Sequence, residues 1–355
     1  MDRFTVIISD AAKHDRGYRG TRSFWWLATR FGAYAELGLY WFLAEYFGRA
    51  SVTLLRPSQL LNSDRRHETD WLFVGLPTSL NKQHLERLRF RRMVLYDSTD
   101  LHGVNFGGSD VPLLLSHTNL CLKNFRDHRW ELPVRVGFLP IKRPPLNNRL
   151  HTALLMDAWK QRAGIAPVKN FDVGFVARPT GTVETNQRLR WMLELKRDRP
   201  DMKLWGGLVG GDQWRAAFQS HPDAKALEPC WLNRRKVGFF QYFSGLCQSR
   251  VALAPSGYAP WTYRHFEAMY ARCVVVSNDL SHYEFLIPFP RERMVEVADG
   301  ACVVPAIEKA LELSRSHPEI VQENIEYLDR WLDRGRYSRW RSEPLERFLS
   351  ELEPA

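Results

Sequence analysis

Arg264 and Glu267 carry the most chemistry per position in this chain, within the run Thr262-Tyr263-Arg264-His265-Phe266-Glu267-Ala268. At helical spacing, residues three apart share a face. A guanidinium placed there can grip a diphosphate through paired hydrogen bonds. A carboxylate one turn deeper can accept from both hydroxyls of a ribose. The competing reading is an exposed ion pair worth about 0.2–0.5 kcal/mol. The flanks favour the ligand reading: a strand-like run, Val251–Leu253, ends in Ala254-Pro255-Ser256-Gly257, and a second apolar run, Cys273–Val276, follows. Gly257 permits tight backbone geometry or close approach of a ligand. A helix beginning near Trp261 would offer free N–H groups to a phosphate. Ser256, Tyr258 and Thr262 flank the same turn. Arg178 and Lys236 are further cations for the same anion, although Arg234-Arg235-Lys236 equally suits a solvated helix face.

These groups need a scaffold that brings strand ends together. In the first half, Phe4–Ile8, Val52–Leu55, Trp71–Val74, Met93–Tyr96, Leu113–Leu115 and Val134–Phe138 read as strands, with helical stretches at Ser23–Phe47 and His84–Arg91. Continuous apolar strands alternating with helices indicate a parallel sheet covered on both faces. Three prolines among residues 140–145 break the pattern, because proline suits neither a central strand nor a helix interior. After a helix at Leu150–Arg162 the alternation restarts: strands Asp172–Val176, Lys203–Trp205, Val251–Leu253, Cys273–Val276 and Met294–Val297. Helices are expected at Asn186–Asp198, near Asp212–Ser220 and Asn233–Gln248, and at Trp261–Ala271, Ala301–Ser314, Pro318–Asp333 and Glu343–Glu351. The expected fold class is α/β, with two Rossmann-like domains facing across a cleft. The divisions are 1–145 on the acceptor side, a linker at 146–170, a donor-binding domain at 171–335, and a last helix within 336–355 that packs back on the first domain.

Composition narrows the classes. The 355 residues are 45% hydrophobic and 25% charged, which suits a globular protein. No run approaches the roughly 20 apolar residues that span a bilayer, and the opening Met1-Asp2-Arg3-Phe4 shows no signal peptide. Five scattered cysteines give no disulfide framework or zinc motif, so reduced thiols in the cytoplasm are expected. A net charge of +10 implies an anionic partner: a nucleoside diphosphate, an acidic glycan, an anionic membrane face touched peripherally, or nucleic acid. Gly-x-Ser-x-Gly, Gly-x-Gly-x-x-Gly and Walker motifs are absent, against hydrolase and dehydrogenase readings.

The segment from Ser249 to Phe289 resembles the C-terminal half of the exostosin-like glycosyltransferases, which have the GT-B fold. The matching positions are Ser249, Pro255, Gly257, Arg264, Glu267-Ala268, Cys273 to Val276 and Pro288-Phe289, and Asp172–Val176 with Arg178 resembles the opening of that domain. The likeness covers about 170–310. Thr262-Tyr263 stands where the family has Ser, and Arg272 and Val275 replace its usual glycine and proline. The resemblance implies a nucleotide-sugar co-substrate, a UDP-sugar favoured, bound by Arg264, Glu267, Arg178, Lys236, Gly257, Tyr258, Thr262 and Ser256. Ala259 stands where many retaining enzymes of this fold have a glutamate paired with Glu267, which favours inversion. No Asp-x-Asp occurs, so no metal and no other cofactor are expected. A glycan or lipid-linked acceptor would make this an enzyme of polysaccharide biosynthesis.

Inversion needs a base. Asp100, in the loop Asp97–Gly103, and Asp10, after the first strand, are the candidates, although such carboxylates also cap helices. His102 and His14 read as structural. Lys123, with Arg126, His128 and Arg129, suits either an anionic acceptor or plain solvated surface. Two alternatives stay open: a nucleic-acid-modifying glycosyltransferase, for which no recognised module is present, and a non-catalytic nucleotide-sugar binding protein.

Overall fold

The computed structural model describes residues 2–8, 37–62, 66–99, 101–139, 168–179, 186–210, 216, 219, 222–232, 237–257, 259–262, 264–332 and 342–353. Two compact units divide the chain. Unit 1 comprises Met1–Ala153, Tyr283–Pro288 and Arg334–Ala355; unit 2 comprises Leu154–His282 and Phe289–Asp333. Each is a Rossmann-like α/β body around its own parallel sheet. No described helix is long and apolar enough to cross a membrane.

Unit 1 contains strands β1 (Phe4–Ile7), β2 (Val52–Leu55), β3 (His67–Glu68), β4 (Trp71–Gly75), β5 (Leu88–Arg89), β6 (Arg92–Asp97), β7 (Leu120–Lys123), β8 (Arg126–Asp127) and β9 (Arg135–Phe138), with helices α1 (Leu37–Phe47), α2 (Pro57–Leu61), α3 (Lys82–Glu86) and α4 (Val111–Leu115). The main sheet runs β2-β1-β4-β6-β7-β9, all parallel. Alternation along β4 shows why its residues are apolar throughout. Phe73 packs with Phe4, Phe42 and Leu43, whereas Leu72 and Val74 pack with Leu60, Leu85 and Leu114. A strand covered on both faces has no polar side to show.

Unit 2 contains β10 (Phe171–Ala177), β11 (Leu204–Leu208), β12 (Ser249–Ala254), β13 (Val274–Asn278) and, after β14 (Tyr283–Glu284, part of unit 1), β15 (Val295–Val297). Its helices are α5 (Gln187–Asp198), α6 (Ala224–Leu227), α7 (Phe239–Cys247), α8 (Arg264–Tyr270), α9 (Val304–Ser316) and α10 (Glu319–Leu332). The sheet order is β11-β10-β12-β13-β15, again parallel. The last helix, α11 (Ser342–Leu352), belongs to unit 1: Phe348 packs edge-on to Phe42 at 5.0 Å, and Arg135 bonds both Glu351 Oε2 and the Glu351 carbonyl. β14 pairs antiparallel with β8, Tyr283 opposite Asp127 and Glu284 opposite Arg126.

Several elements differ from the sequence expectation. Leu113–Leu115 lies in helix α4, not a strand, because Asp110 caps it by accepting from Leu113 N and Pro112 opens its first turn. The strand in that region is β7, Leu120-Cys121-Leu122-Lys123, whose three apolar residues are too few for periodicity to assign. The helix at His84–Arg91 stops at Glu86, and Leu88–Arg89 pairs as β5. The helix expected from Trp261 begins only at Arg264. Its end is forced by Arg272, the single non-glycine among the described residues with a positive φ, 58°. Such a residue leaves the right-handed helix, and Lys169 Nζ caps the freed carbonyls of Ala271 and Arg272 at 3.1 and 2.9 Å.

Candidate functional site

Counted within unit 2, the sheet order is 2-1-3-4-5, and the direction of strand addition reverses between β10 and β12. Doubly wound sheets bind ligands outside the carboxyl ends of their strands at that point. Arg178 follows β10, Pro255-Ser256-Gly257 follows β12, Gln187 opens α5, and Arg264 opens α8. Chain topology therefore gathers at one sheet edge residues that are up to 86 positions apart in sequence, counting from Arg178 to Arg264.

Arg264 is half-buried and folded against the end of β10. Its Nε donates to the Val176 carbonyl at 3.0 Å, and the guanidinium lies 5.8 Å from the centre of the Phe175 ring. No carboxylate among the described residues pairs with it. The exposed ion pair with Glu267 is therefore not formed. Glu267 Oε2 instead accepts from the Tyr242 hydroxyl at 2.9 Å. Burial raises the Glu267 carboxyl above its ordinary range, while the tyrosine bond and the Arg264 charge pull it back down. Burial and the neighbouring carboxylate push the Tyr242 hydroxyl well up, so it remains a donor. Gly245 makes this contact possible: a Cβ there would fall 1.9 Å from the Trp205 indole. Only glycine lets α7 approach so closely, and Tyr242, one turn earlier, then lies 6.2 Å from the same ring system.

The other expected donor residues divide. The Ser256 backbone N–H and hydroxyl both donate to Gln187 Oε1 at 2.7 Å, so this serine ties the β12 turn to α5. Gly257 N donates to Ala259 O. Thr262 Oγ1 is buried with no hydrogen-bond partner among the described residues. Arg178 is exposed, its carbonyl held by Arg188. Lys236 and Tyr258, like Asp10 and Asp100, lie outside the described residues. With seven residues, α8 is short, and the cationic side chain at its head outweighs its dipole. His265 is fully buried between Thr262 and Ser277, with Nε2 2.7 Å from Ser277 Oγ, and burial lowers its pKa to about 4. Ser249 and Cys273 build the scaffold: Ser249 Oγ bonds Gly245 O, and Cys273 Sγ bonds the carbonyls of Leu246 and Ser249. Sequence reasoning missed Tyr242 and Gln187, and neither residue type signals its role.

Unit 1 overturns both sequence readings of Lys123. It is neither solvated nor open to an acceptor, for its side chain is fully buried and pairs with Asp97, equally buried, at 2.9 Å. Asp97 also accepts from the backbone of Thr99 and Asn105, and Lys123 donates to Thr99 O. This pair closes the ends of β6 and β7 and fixes the loop that carries His102. Asp127 holds Arg129 through both oxygens, whereas Glu284 accepts two bonds from Arg126 on Oε2 alone and turns Oε1 toward His128. Burial alone would raise both carboxyls, but their guanidinium partners bring them below the usual range.

No protein-family model and no curated protein matches the chain. Among solved structures it is similar to sucrose-phosphate synthase from Thermosynechococcus elongatus, with a TM-score of 0.45 and 13% identity over 80% of this chain and 73% of that one. It is also similar to Anabaena HepE, crystallised with UDP-glucose, with a TM-score of 0.42 and 13% identity over 88% and 87%. A third is a UDP-forming trehalose-phosphate synthase from Burkholderia xenovorans, with a TM-score of 0.46 and 11% identity over 94% and 80%.

Proposed function

We propose that the chain is a GT-B glycosyltransferase, akin to the exostosin-like family, moving a sugar from a nucleoside diphosphate, UDP first, to a hydroxyl of a glycan or glycolipid. The observation that carries this reading is Arg264, a half-buried guanidinium at the switch point of unit 2 with no carboxylate partner among the described residues. The Val176 carbonyl and Phe175 ring hold it in place before any ligand arrives. As the bond from the anomeric carbon to the diphosphate breaks, negative charge grows on the leaving oxygen. A preplaced cation stabilises that charge without reorganising. Glu267, steadied by Tyr242, takes the ribose hydroxyls and so acts on affinity. Arg178 adds charge at the same strand end.

The cations meet the leaving-group charge without a metal, in keeping with the absence of Asp-x-Asp from the sequence. Ala259 in place of a second glutamate supports inversion: the acceptor oxygen attacks the anomeric carbon as the diphosphate leaves, and its proton passes to a carboxylate. Asp100, then Asp10, are the proposed bases; Asp97 is committed to Lys123. Reduced cysteines and the charge of +10 fit a cytoplasmic enzyme in peripheral contact with an anionic membrane face. Calorimetric titration with UDP and GDP, followed by turnover of the matching nucleotide sugars in excess EDTA, tests the reading. Binding of one diphosphate and undiminished turnover in EDTA are expected. Failure to bind any nucleoside diphosphate would overturn the reading, and a requirement for added manganese would overturn its metal-free route.

A further inference from the structure

The cations at 123–129 are compensated within the fold. Lys123 faces Asp97, Arg126 and His128 face Glu284, and Arg129 faces Asp127. An anion finds no unpaired cation among them. What the patch does present is aromatic. Exposed His102 and half-buried Trp130 and Tyr283 surround the buried ring of Phe125, with centroids 5.2–6.5 Å apart. Leu101 beside them is 49% exposed and extends the apolar surface of the patch. The ring planes meet at 51–87°, so no two parallel faces form a slot for a flat base.

The rim mixes donors and acceptors in paired charges. Glu284 Oε1 lies 3.3 Å from His128 Nε2, and the Tyr283 hydroxyl accepts from Arg129 at 3.0 Å. A pyranose fits this chemistry: it offers a C–H face to an aromatic ring, carries hydroxyls that both donate and accept, and has no charge. The position suits a ligand too, since Leu101 and His102 lie on the loop that follows β6, and Trp130 follows β8 in the connection from β7 to β9, beyond the carboxyl ends of parallel strands. The buried Asp97–Lys123 pair sets the path of the first of these loops.

We propose that this patch of unit 1 binds an uncharged sugar ring through His102, Trp130 and Tyr283. Its role as the acceptor subsite rests on the transferase reading above; sugar binding itself does not. Saturation-transfer NMR on the full chain, with lactose, cellobiose and chitobiose as probes and a uronate-containing disaccharide as the charged counterpart, tests it without donor or turnover. At least one neutral disaccharide should receive saturation on its ring protons and outcompete the uronate. Trp130→Ala and His102→Ala should each weaken that binding about tenfold, the scale for losing one ring contact, and leave UDP binding unchanged. His102 is exposed, so its variant tests the site even if Trp130→Ala fails to fold. The proposal falls if no neutral disaccharide binds, if the uronate binds more tightly, or if His102→Ala binds like wild type. Sugar binding without UDP binding would remove the transferase reading and leave this site standing; UDP binding without sugar binding would do the reverse.

Discussion

Replacing Tyr242 with Phe removes one oxygen and little else, which makes it a clean probe of Glu267. The lost bond is a 2.9 Å contact from a hydroxyl to a carboxylate. Bonds to charged groups contribute about 1.5–3 kcal/mol. Glu267 is half-buried, so solvent replaces part of the bond and the low end applies, about 1.5 kcal/mol. That corresponds to about a tenfold change in an equilibrium constant. Nucleoside diphosphate affinity at pH 7, measured by calorimetry, should fall by up to about tenfold, the limit in which binding must re-order the released carboxylate, with kcat moving less, because the ribose keeps its charge through the reaction. A second signature comes from pH. Burial holds the Glu267 carboxyl above its ordinary range in the folded chain, so ionising it as pH rises costs stability, and the tyrosine bond offsets part of that cost. The stability lost in Tyr242→Phe should therefore be larger at about pH 7 than at about pH 4, where a neutral carboxyl gains less from the hydroxyl. Urea melts at the two pH values measure this. Equal losses at both, or unchanged affinity beside a Glu267→Gln variant that binds weakly, would refute the positioning role.

Arg264→Ala should cut kcat by about 10²–10³-fold, the scale for one preorganised charge-stabilising group; turnover like wild type would remove the site. His265, with its pKa lowered from 6.5 to about 4, binds a proton more readily when unfolded. Its stabilising contribution should be complete above pH 6.5 and decline toward pH 4, by about 2 kcal/mol at pH 5, and urea midpoints of a His265→Gln variant should lose this acid slope. Arg272→Gly should raise stability by about 1 kcal/mol by relieving the left-handed backbone, read as a higher Tm. Lys123→Met leaves Asp97 charged and buried and should cost about 3–5 kcal/mol; denaturation within 1 kcal/mol of wild type would contradict the ion pair.

What the sequence made legible follows from how local each signal is. Strands such as Trp71–Gly75 and Val274–Asn278 are buried along most of their length, and the apolar runs Trp71–Val74 and Cys273–Val276 say so. Arg264 and Glu267 were visible because their spacing and the turn before them lie within one short segment. Their partners were not. Tyr242 meets Glu267 across 25 positions, and Val176 meets Arg264 across 88, distances over which one sequence carries no pairing signal. Lys123 was misread for the same reason, since Asp97 lies 26 positions away and nothing near the lysine announces burial. Arg272 is the converse case: no glycine in Ala271-Arg272-Cys273 marks the helix end in the sequence, and only the structure shows the φ of 58° that ends it.

The division of the chain bears on how it is made. Unit 2 is complete once residue 333 exists, whereas unit 1 needs Tyr283–Pro288 and the final helix from Ser342. On a ribosome, which releases the amino end first and usually lets domains fold in that order, the second unit can finish before the first. Until then the apolar face that receives Phe348, formed by Phe42 and its neighbours, stays uncovered. A chain stopped after residue 333 would carry a finished unit 2 beside an unfinished unit 1, a ready substrate for chaperones and proteases.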